Sequence, residues 1–457
     1  MIRELHISGF RGFGKEQQIS FAIPDGKTIG SGLSIITGAN NSGKTTIIES
    51  IQAFNYANDD TPSFSEGRRN VLTSGKVSLR IIDESNEIYA IESVSNGGSS
   101  TIKNRPFTLR YYVLQSRRSV SFEFSRYDLD KDRYISQFQK LDNQRSSELD
   151  SFQGRIFQIE KQKDEFDQLL HKVLGNDFCW TIEQRDSGRY YIKYSINGIS
   201  HSSEGVGDGI WSIFTICAAL FDSKSNETIV IDEPELSVHP KLQRKLMKIF
   251  LEYSATRQII ISTHSPYFVN WNAIINNANL IRVTKDNQNT VCFSISEKTR
   301  KQFKGILNDI NNPHTLGLDA NEVFFLDDGI ILVEGQEDVV ILDRISKELQ
   351  LKIEGTFFGW GVGGAPKMEA FLHLFKDLGY QRVVVILDGD KSKDAEILSE
   401  KFKEDNYKII TLVEDDIRDK KYRCIKEKSG ITFENGKLKD EYREYAKNLI
   451  MDINSAL

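Results

Sequence analysis

Three acids late in the chain have the residue types and the spacing for metal chemistry. Glu334 ends the apolar run ILVEG (331–335), and Asp388 and Asp390 end VVVILDGD (383–390). Each run predicts a buried parallel strand. The carboxylates then fall at the carboxyl ends of two strands, where open α/β sheets place their chemistry. With no Cys or His beside them, they suit a hard divalent cation, Mg²⁺ or Mn²⁺. Asp-Gly is also a common turn pair, so the elements around the acids must decide.

From Gly329 onward those elements alternate. Strands are predicted at 330–333, 355–358, 383–387 and 408–413, and helices at 337–350, 366–379 and 393–405. Such alternation implies βαβ units and a parallel sheet that brings strand-end acids to one edge. A second metal needs further carboxylates. ITLVEDDIRD (410–419) offers Glu414, Asp415, Asp416 and Asp419, with Glu414 and Asp416 preferred. Glu337 and Asp338 are alternatives, though acids in a helix's first turn are ordinary partners of the helix dipole. Lys391, Lys393 and Lys367 are the nearest cations in sequence for charge developing at a phosphate. The basic run RDKKYRCIKEK (418–428) is either a phosphate-backbone contact or a solvated helix face.

A second set of motifs lies upstream. GANNSGKT (38–45) matches GxxxxGK[ST], with strand-like LSIIT before it and helix-like TIIESIQAF after it. Its loop, Gly38, Asn40, Asn41, Ser42 and Gly43, would cradle phosphates with backbone N–H groups, and Thr46 opens the helix. Lys44 would reach the β/γ-phosphates, and the Thr45 hydroxyl would bind Mg²⁺. TIVIDEPE (228–235) ends in Asp232, which would hold Mg²⁺ through water, and Glu233, which would orient or activate the attacking water. STHSP (262–266) puts His264 at the next strand end, in reach of a γ-phosphate. SSEGVGDG (202–209) is a Ser/Gly-rich loop before a helix. Gln115-Ser116-Arg117-Arg118 follows a strand and offers a Mg²⁺-sensing Gln or a phosphate-contacting Arg; His239 offers a further loop contact or a helix entry.

The order of P-loop, Ser/Gly loop, acidic strand end and His resembles ABC-type ATPases of the SMC and RecF kind. ISGFRGF (7–13) resembles their N-terminal phrase. The resemblance implies ATP and Mg²⁺ as ligands. It also implies a head-to-head homodimer or higher homo-oligomer in which Ser203 and Gly205 complete the partner's nucleotide site. SSEGVGDG departs from the transporter sequence LSGGQ.

The C-terminal pattern resembles the Toprim domain: Glu334-Gly335 after a strand, GVGGAPK (361–367) before a helix, and Asp388-Gly389-Asp390. An ABC-type ATPase followed directly by Toprim resembles the overcoming-lysogenization-defect (OLD) nucleases. That resemblance covers nearly the whole chain and implies an ATPase-coupled, metal-dependent DNA endonuclease. Glu334, Asp388 and Asp390 would hold Mg²⁺ or Mn²⁺, with Lys391 beside them, and Glu334 would either ligate metal or accept a proton. It further implies a role in anti-phage defence, alone or beside a partner such as a reverse transcriptase with its retron DNA. The alternative is a non-cleaving, DNA-binding SMC/RecF-like ATPase whose Toprim domain is regulatory or a docking module. A Toprim topoisomerase or primase is disfavoured by the lack of an evident breakage domain or zinc ribbon.

The expected architecture is therefore α/β: an ABC-type P-loop ATPase with a helical insert, plus a C-terminal Toprim domain with a Rossmann-like parallel sheet. The boundaries are 1–124 and 176–315 for the ATPase, 125–175 for the insert and 325–457 for Toprim. The insert, with Phe152, Ile156, Phe166 and Leu170 at helical spacing, either covers the sheet or serves dimerisation. The chain has 457 residues, 39% hydrophobic and 27% charged, which fits a globular protein of two to four domains. Its net charge of −6 excludes a uniformly basic coat but not a local basic groove. Four cysteines without CxxC spacing read as reduced thiols of a cytoplasmic protein, and no apolar run is long enough to span a membrane.

Overall fold

The computed structural model describes all residues except 57–59, 95–100, 108–109, 119–122, 142–151, 197, 203–206, 308–317, 326–328 and 421–426. The chain forms two compact units, Met1–Cys292 and Phe293–Leu457.

The centre of the first unit is a six-stranded sheet. Its order runs from Asn289–Ser294 through Asn279–Asp286, Leu33–Thr37, Gln258–Ser262 and Thr228–Asp232 to Tyr111–Leu114. The neighbours from Asn279–Asp286 to Tyr111–Leu114 pair in parallel. Three strands, LSIIT, TIVID and QIIIS, are buried at every position, as expected of a sheet covered on both faces. The strand Asn279–Asp286 is the least apolar of the parallel set. Asn279 and Arg282 interrupt its apolar pattern, yet both are buried.

A five-stranded antiparallel sheet, from Gln17–Ser20 to Thr101–Lys103, packs its apolar face beside the P-loop helix Lys44–Gln52 in one core. The buried amide of Gln258 joins the two sheets. It accepts from Ile2 N (2.8 Å) and donates to the carbonyls of Ile2 (2.6 Å) and Ala22 (2.9 Å).

The helical insert consists of Lys131–Phe138, Phe152–Glu160 and Lys163–Leu174 in the described residues. Its apolar side is covered within the same chain. Phe166 is fully buried among Trp180, Phe214 and Phe221, with ring centroids 5.1–5.9 Å apart. Arg155 pairs with Asp222 at 2.7 Å, both side chains 8% exposed. The stretch 181–196 is an antiparallel hairpin of Phe178–Gln184 and Tyr190–Ile196.

The second unit contains a four-stranded, all-parallel sheet ordered Thr356–Phe357, Ile330–Val333, Val383–Leu387, Lys408–Thr411. Helices Gln336–Leu349, Ala365–Asp377 and Ser392–Lys401 alternate with the strands, as the sequence predicts. The terminal helix Arg443–Ala456 buries Leu449, Ile450 and Ile453 against the sheet residues Ile331 and Val384 in one core. Of the basic run at 418–428, residues 421–426 lie outside the described residues, and its described ends are extended. Asp416–Arg418 pairs in parallel with Gly430–Thr432, and Lys420 bridges Lys428 antiparallel. Among the described residues, no helix is long and apolar enough to cross a membrane.

Candidate nucleotide and metal sites

In the first unit, strand register puts three motif ends side by side. Asp232 is opposite Ser262, and Ser262 opposite Ile36, one residue before the P-loop strand ends. The cleft between them is lined by Arg11, Asn40, Asn41, Gly43, Lys44, Thr45, Thr46, Glu233 and His264, among others. Gly38 has φ 139° and sits against the Val283 carbonyl, which a Cβ would strike at 2.0 Å. Only glycine allows that approach.

Lys44 is buried and donates to the carbonyls of Gly38 and Ala39, both at 2.9 Å. Burial lowers its pKa to about 8, opposed by Glu233, Asp232 and Glu235. Asp232 is buried, hydrogen-bonds the hydroxyls of Ser262 and Thr45, and is raised in pKa chiefly by burial. Glu233 has a left-handed backbone, φ 49°, and its carboxylate lies 3.8 Å from His264 Nε2. Burial, and then Lys44, push His264 down to about 4, so its imidazole is neutral at ordinary pH. Ser42 Oγ is buried and makes no hydrogen bond. An orphaned hydroxyl, a buried lysine and a glycine cradle at a helix N-terminus fit a polyphosphate.

Ser203 and Gly205 lie outside the described residues. His239 is the N-cap of helix Pro240–Tyr253, its Nδ1 accepting from Lys241 N at 3.2 Å. Gln115 Nε2 donates to Gln52 Oε1 at 3.3 Å. Arg118 turns inward onto backbone carbonyls of the acidic loop. Glu235, not singled out from sequence, anchors His264: its carboxylate accepts from His264 N (2.6 Å) and Thr263 Oγ1 (2.8 Å).

In the second unit, Val333 pairs with Ile386, which brings Glu334 beside the Asp388 turn. Glu334 accepts from Asp388 N at 3.0 Å and from Ala365 N at 3.3 Å. Burial raises Asp388 to about 8, helped by Asp338, Asp416 and Glu334. Burial likewise raises Asp338 to about 7, with Glu334 and Asp416 adding to it. Asp338 also accepts from Gly335 N at 2.8 Å, so it caps its helix and faces the acids at once. Glu334, Asp338, Asp388 and Asp416 thus form one electrostatically coupled set.

Asp390 is tied to that set through a lysine. Lys428 Nζ lies 2.7 Å from Asp390, 3.6 Å from Asp416 and 4.0 Å from Asp388. Burial raises the Asp390 carboxyl, but Lys428 and Lys391 outweigh it and hold the group low. Lys391 sits 3.3 Å from Asp390, and Lys420 2.6 Å from Asp416. Glu414 is not brought in. Its carboxylate takes the hydroxyls of Ser429 and Tyr442, while its carbonyl accepts from Gly389 N at 2.9 Å. Asp419 instead braces the small sheet through Gly430 N and Lys439, both at 2.9 Å.

Among the described residues, no three His, Cys, Asp or Glu side chains close into a ready-made metal cage. The raised Asp388 and Asp338, each shifted first by burial and then by neighbouring carboxylates, nevertheless mark a cluster whose charges repel, with the Lys420 and Lys428 ammonium groups beside it. A hard-oxygen set whose repulsion lysine ammonium groups offset only in part fits a divalent cation.

Comparison with known proteins agrees with this division. An AAA domain model, one named for the AbiEii toxin of a type IV TA system, matches residues 102–270. A model described as overcoming lysogenization defect protein-like, TOPRIM domain, matches residues 325–390. An OLD nuclease of Thermus scotoductus is 27% identical over 54% of this chain and 48% of that protein. The Old nuclease of Escherichia phage P2 is 32% identical over 28% of this chain and 21% of its own length. Endonuclease GajA of Bacillus cereus is 25% identical over 49% of this chain and 36% of its own length. The matches therefore span about half or less of these relatives. Among solved structures, an SMC head bound to the C-terminal winged-helix domain of ScpA has TM-score 0.42 and 15% identity, covering 65% of this chain and 98% of that one. The SMC head domain from Thermotoga maritima has TM-score 0.36 at 15% identity, covering 65% and 99%. An AAA-type ATPase domain model and an OLD-like Toprim domain model thus match this chain in succession, and the relatives it is similar to include two OLD nucleases and an endonuclease.

Proposed function

We propose that this chain is an ATPase-coupled, divalent-metal-dependent endonuclease acting on DNA. The observation that carries the reading is the set formed by Glu334 and Asp388 at parallel strand ends, Asp338 in the first turn of the following helix and Asp416 at the start of a short strand, bordered by Lys428. Asp388, Glu334, Asp338 and Asp416 would hold the cation, with Asp390 at the rim. A bound Mg²⁺ or Mn²⁺ supplies Lewis acidity and a water of lowered pKa. Lys428 and Lys391 would offset charge on the phosphate oxygens, and any carboxylate left unligated would accept the proton of the attacking water.

At the nucleotide site, Lys44 would leave the Gly38 and Ala39 carbonyls for the β/γ-phosphates of ATP. Thr45 and Asp232 would hold Mg²⁺, Glu233 would orient the attacking water, and neutral His264 would donate to the γ-phosphate. Ser203 and Gly205 are proposed to complete this site in a second copy, giving a head-to-head dimer. Defence against phage, with or without a reverse transcriptase and its retron DNA, rests on the family resemblance alone. The proposed boundaries keep the ATPase at 1–124 and 176–315, the insert at 125–175 and Toprim at 325–457.

The test is a nuclease assay on single- and double-stranded DNA and on RNA, with and without ATP and each metal. Asp388→Asn and Asp390→Asn should abolish cleavage and leave ATP binding intact, whereas Lys44→Ala should abolish ATP binding. Cleavage that survives both aspartate substitutions removes the assignment. The alternative is a non-cleaving, DNA-binding ATPase whose Toprim domain is a docking module. Calorimetric titration with Mn²⁺ separates the two, because a docking module has no need to bind it.

A further inference from the structure

Arg118 is a buried cation spent almost wholly on backbone. Its Nη1 donates to the carbonyls of Gln115 and Asp232, both at 2.7 Å, and Nη2 to the carbonyl of Glu233, also at 2.7 Å. Its Nε donates to Ser212 Oγ at 3.1 Å. The carbonyls of Asp232 and Glu233 belong to the two peptide planes that flank the Glu233 α-carbon. One rigid guanidinium therefore grips both sides of that residue.

Glu233 needs such a grip. Its φ of 49° is a region that non-glycine residues enter at a cost. Pro234 follows it, and a residue before proline is biased towards extended backbone. Glu233 has two weaker backbone holds besides: its N–H reaches the Ser262 carbonyl at 2.9 Å and Ser262 Oγ at 3.3 Å, and its carbonyl also accepts from Leu236 N at 3.1 Å within the same loop. Burying a guanidinium is expensive, and the usual compensation is a hydrogen-bonded carboxylate. Here the four hydrogen-bond partners are three carbonyls and a hydroxyl. Asp232, Glu235 and Glu233 act on Arg118 only through space. An arginine placed this way does what lysine cannot, since a single ammonium lacks the planar fork.

The fourth contact gives the arrangement a direction. Ser212 lies on helix Asp208–Asp222, immediately after the Ser/Gly-rich sequence. Gly209 of that helix packs against the Ser237 carbonyl, which a Cβ would meet at 2.3 Å, so the helix also abuts the loop following Glu233.

We infer that Arg118 is a positioning residue that locks the backbone of Glu233 and transmits the placement of helix Asp208–Asp222 to it. The inference rests on the reading of Glu233 as the residue that orients the attacking water. A shift of the helix on engagement of a second copy would then reach the hydrolytic centre through one side chain.

The experiment compares full-length wild type with Arg118→Lys, Arg118→Met, Ser212→Ala and Glu233→Gln. Steady-state ATPase kinetics, affinity for a fluorescent ATP analogue and melting temperature are recorded for each. Arg118→Lys should lower kcat by about 10- to 100-fold while KM and analogue affinity stay within about twofold. Ser212→Ala should lower kcat by about threefold with KM unchanged. Two outcomes overturn the inference: wild-type kcat in Arg118→Lys and Ser212→Ala, or analogue affinity and melting temperature falling in step with kcat. Where Arg118→Met fails to fold, the lysine and Ser212 variants still decide. Glu233→Gln should hydrolyse nothing measurable; if it turns over like wild type, the reading of Glu233 itself fails and takes the inference with it.

Discussion

The ammonium of Lys428 sits 2.7 Å from the carboxylate of Asp390 and reaches towards Asp416 and Asp388 from the same point. A monovalent cation thus stands where the acids would receive a divalent one. Lys428→Met should raise Mn²⁺ affinity by about three- to tenfold, because a competitor for the same carboxylates is gone. Cleavage should fall in the same variant, since Lys428 is also one of the cations proposed to offset charge on the phosphate. Isothermal titration and a nuclease assay check the two halves; unchanged affinity would show that Lys428 does not compete.

Metal affinity should depend steeply on pH. Burial and mutual repulsion raise Asp388 to about 8 and Asp338 to about 7. Both hold protons below those values, and a cation must displace them. Mn²⁺ affinity should therefore climb from pH 6 to pH 8 by about tenfold per unit for each proton released, then level off. The metal-free protein should respond in the opposite sense. A carboxyl whose folded pKa is raised stabilises the fold at low pH, and that contribution is lost as pH rises from about 4 towards 8. Metal titrations and chemical denaturation across this range measure both. A flat affinity profile would mean the acids are already ionised.

His264 gives the reverse dependence. Burial and Lys44 push its pKa to about 4, below the ordinary histidine value. Its contribution to stability is present above the unfolded pKa, near 6.5, and disappears as pH falls from there through the folded pKa. Wild type should lose more stability than His264→Gln between pH 6.5 and pH 4. The ATPase rate profile should show no limb near pH 6.5 that His264→Gln removes.

The insert should contribute strongly to the first unit. Phe166 is fully buried among Trp180, Phe214 and Phe221. Phe166→Ala should destabilise by about 3–5 kcal/mol, the usual cost of an aromatic cavity. Urea denaturation followed by tryptophan fluorescence, with Trp180 beside the cavity, reports it. A loss under about 1 kcal/mol would mean the insert packs loosely.

Much of this arrangement is legible in the sequence because parallel strands buried on both faces read as unbroken apolar runs. LSIIT, TIVID, QIIIS and VVVIL are recognisable from sequence alone, TIVID and VVVIL together with the acids at their ends. The strand Asn279–Asp286 could not, because its buried Asn279 and Arg282 imitate a polar junction. The choice between Glu414 and Asp416 was equally hidden. The two are an even number of residues apart, so regular alternation would put both on one side. The Glu414 carbonyl is instead engaged by Gly389 N, the chain bends before Asp416, and only Asp416 turns inward. Lys428 arrives through the bridge to Lys420, and a pairing of two lysines has no sequence signature. Arg118 was visible as a candidate, but its partners are carbonyls, which every residue carries.

Glu334 spends its two carboxylate oxygens on the backbone of two different loops, one N–H from Asp388 and one from Ala365. For anyone who needs a catalytically dead but faithfully folded protein, that makes position 334 a poor place to cut. Alanine there would unfasten both loops and mix lost chemistry with lost architecture. Asp390 is held by lysine side chains rather than by backbone, so its amide replacement silences a ligand and leaves the scaffold standing.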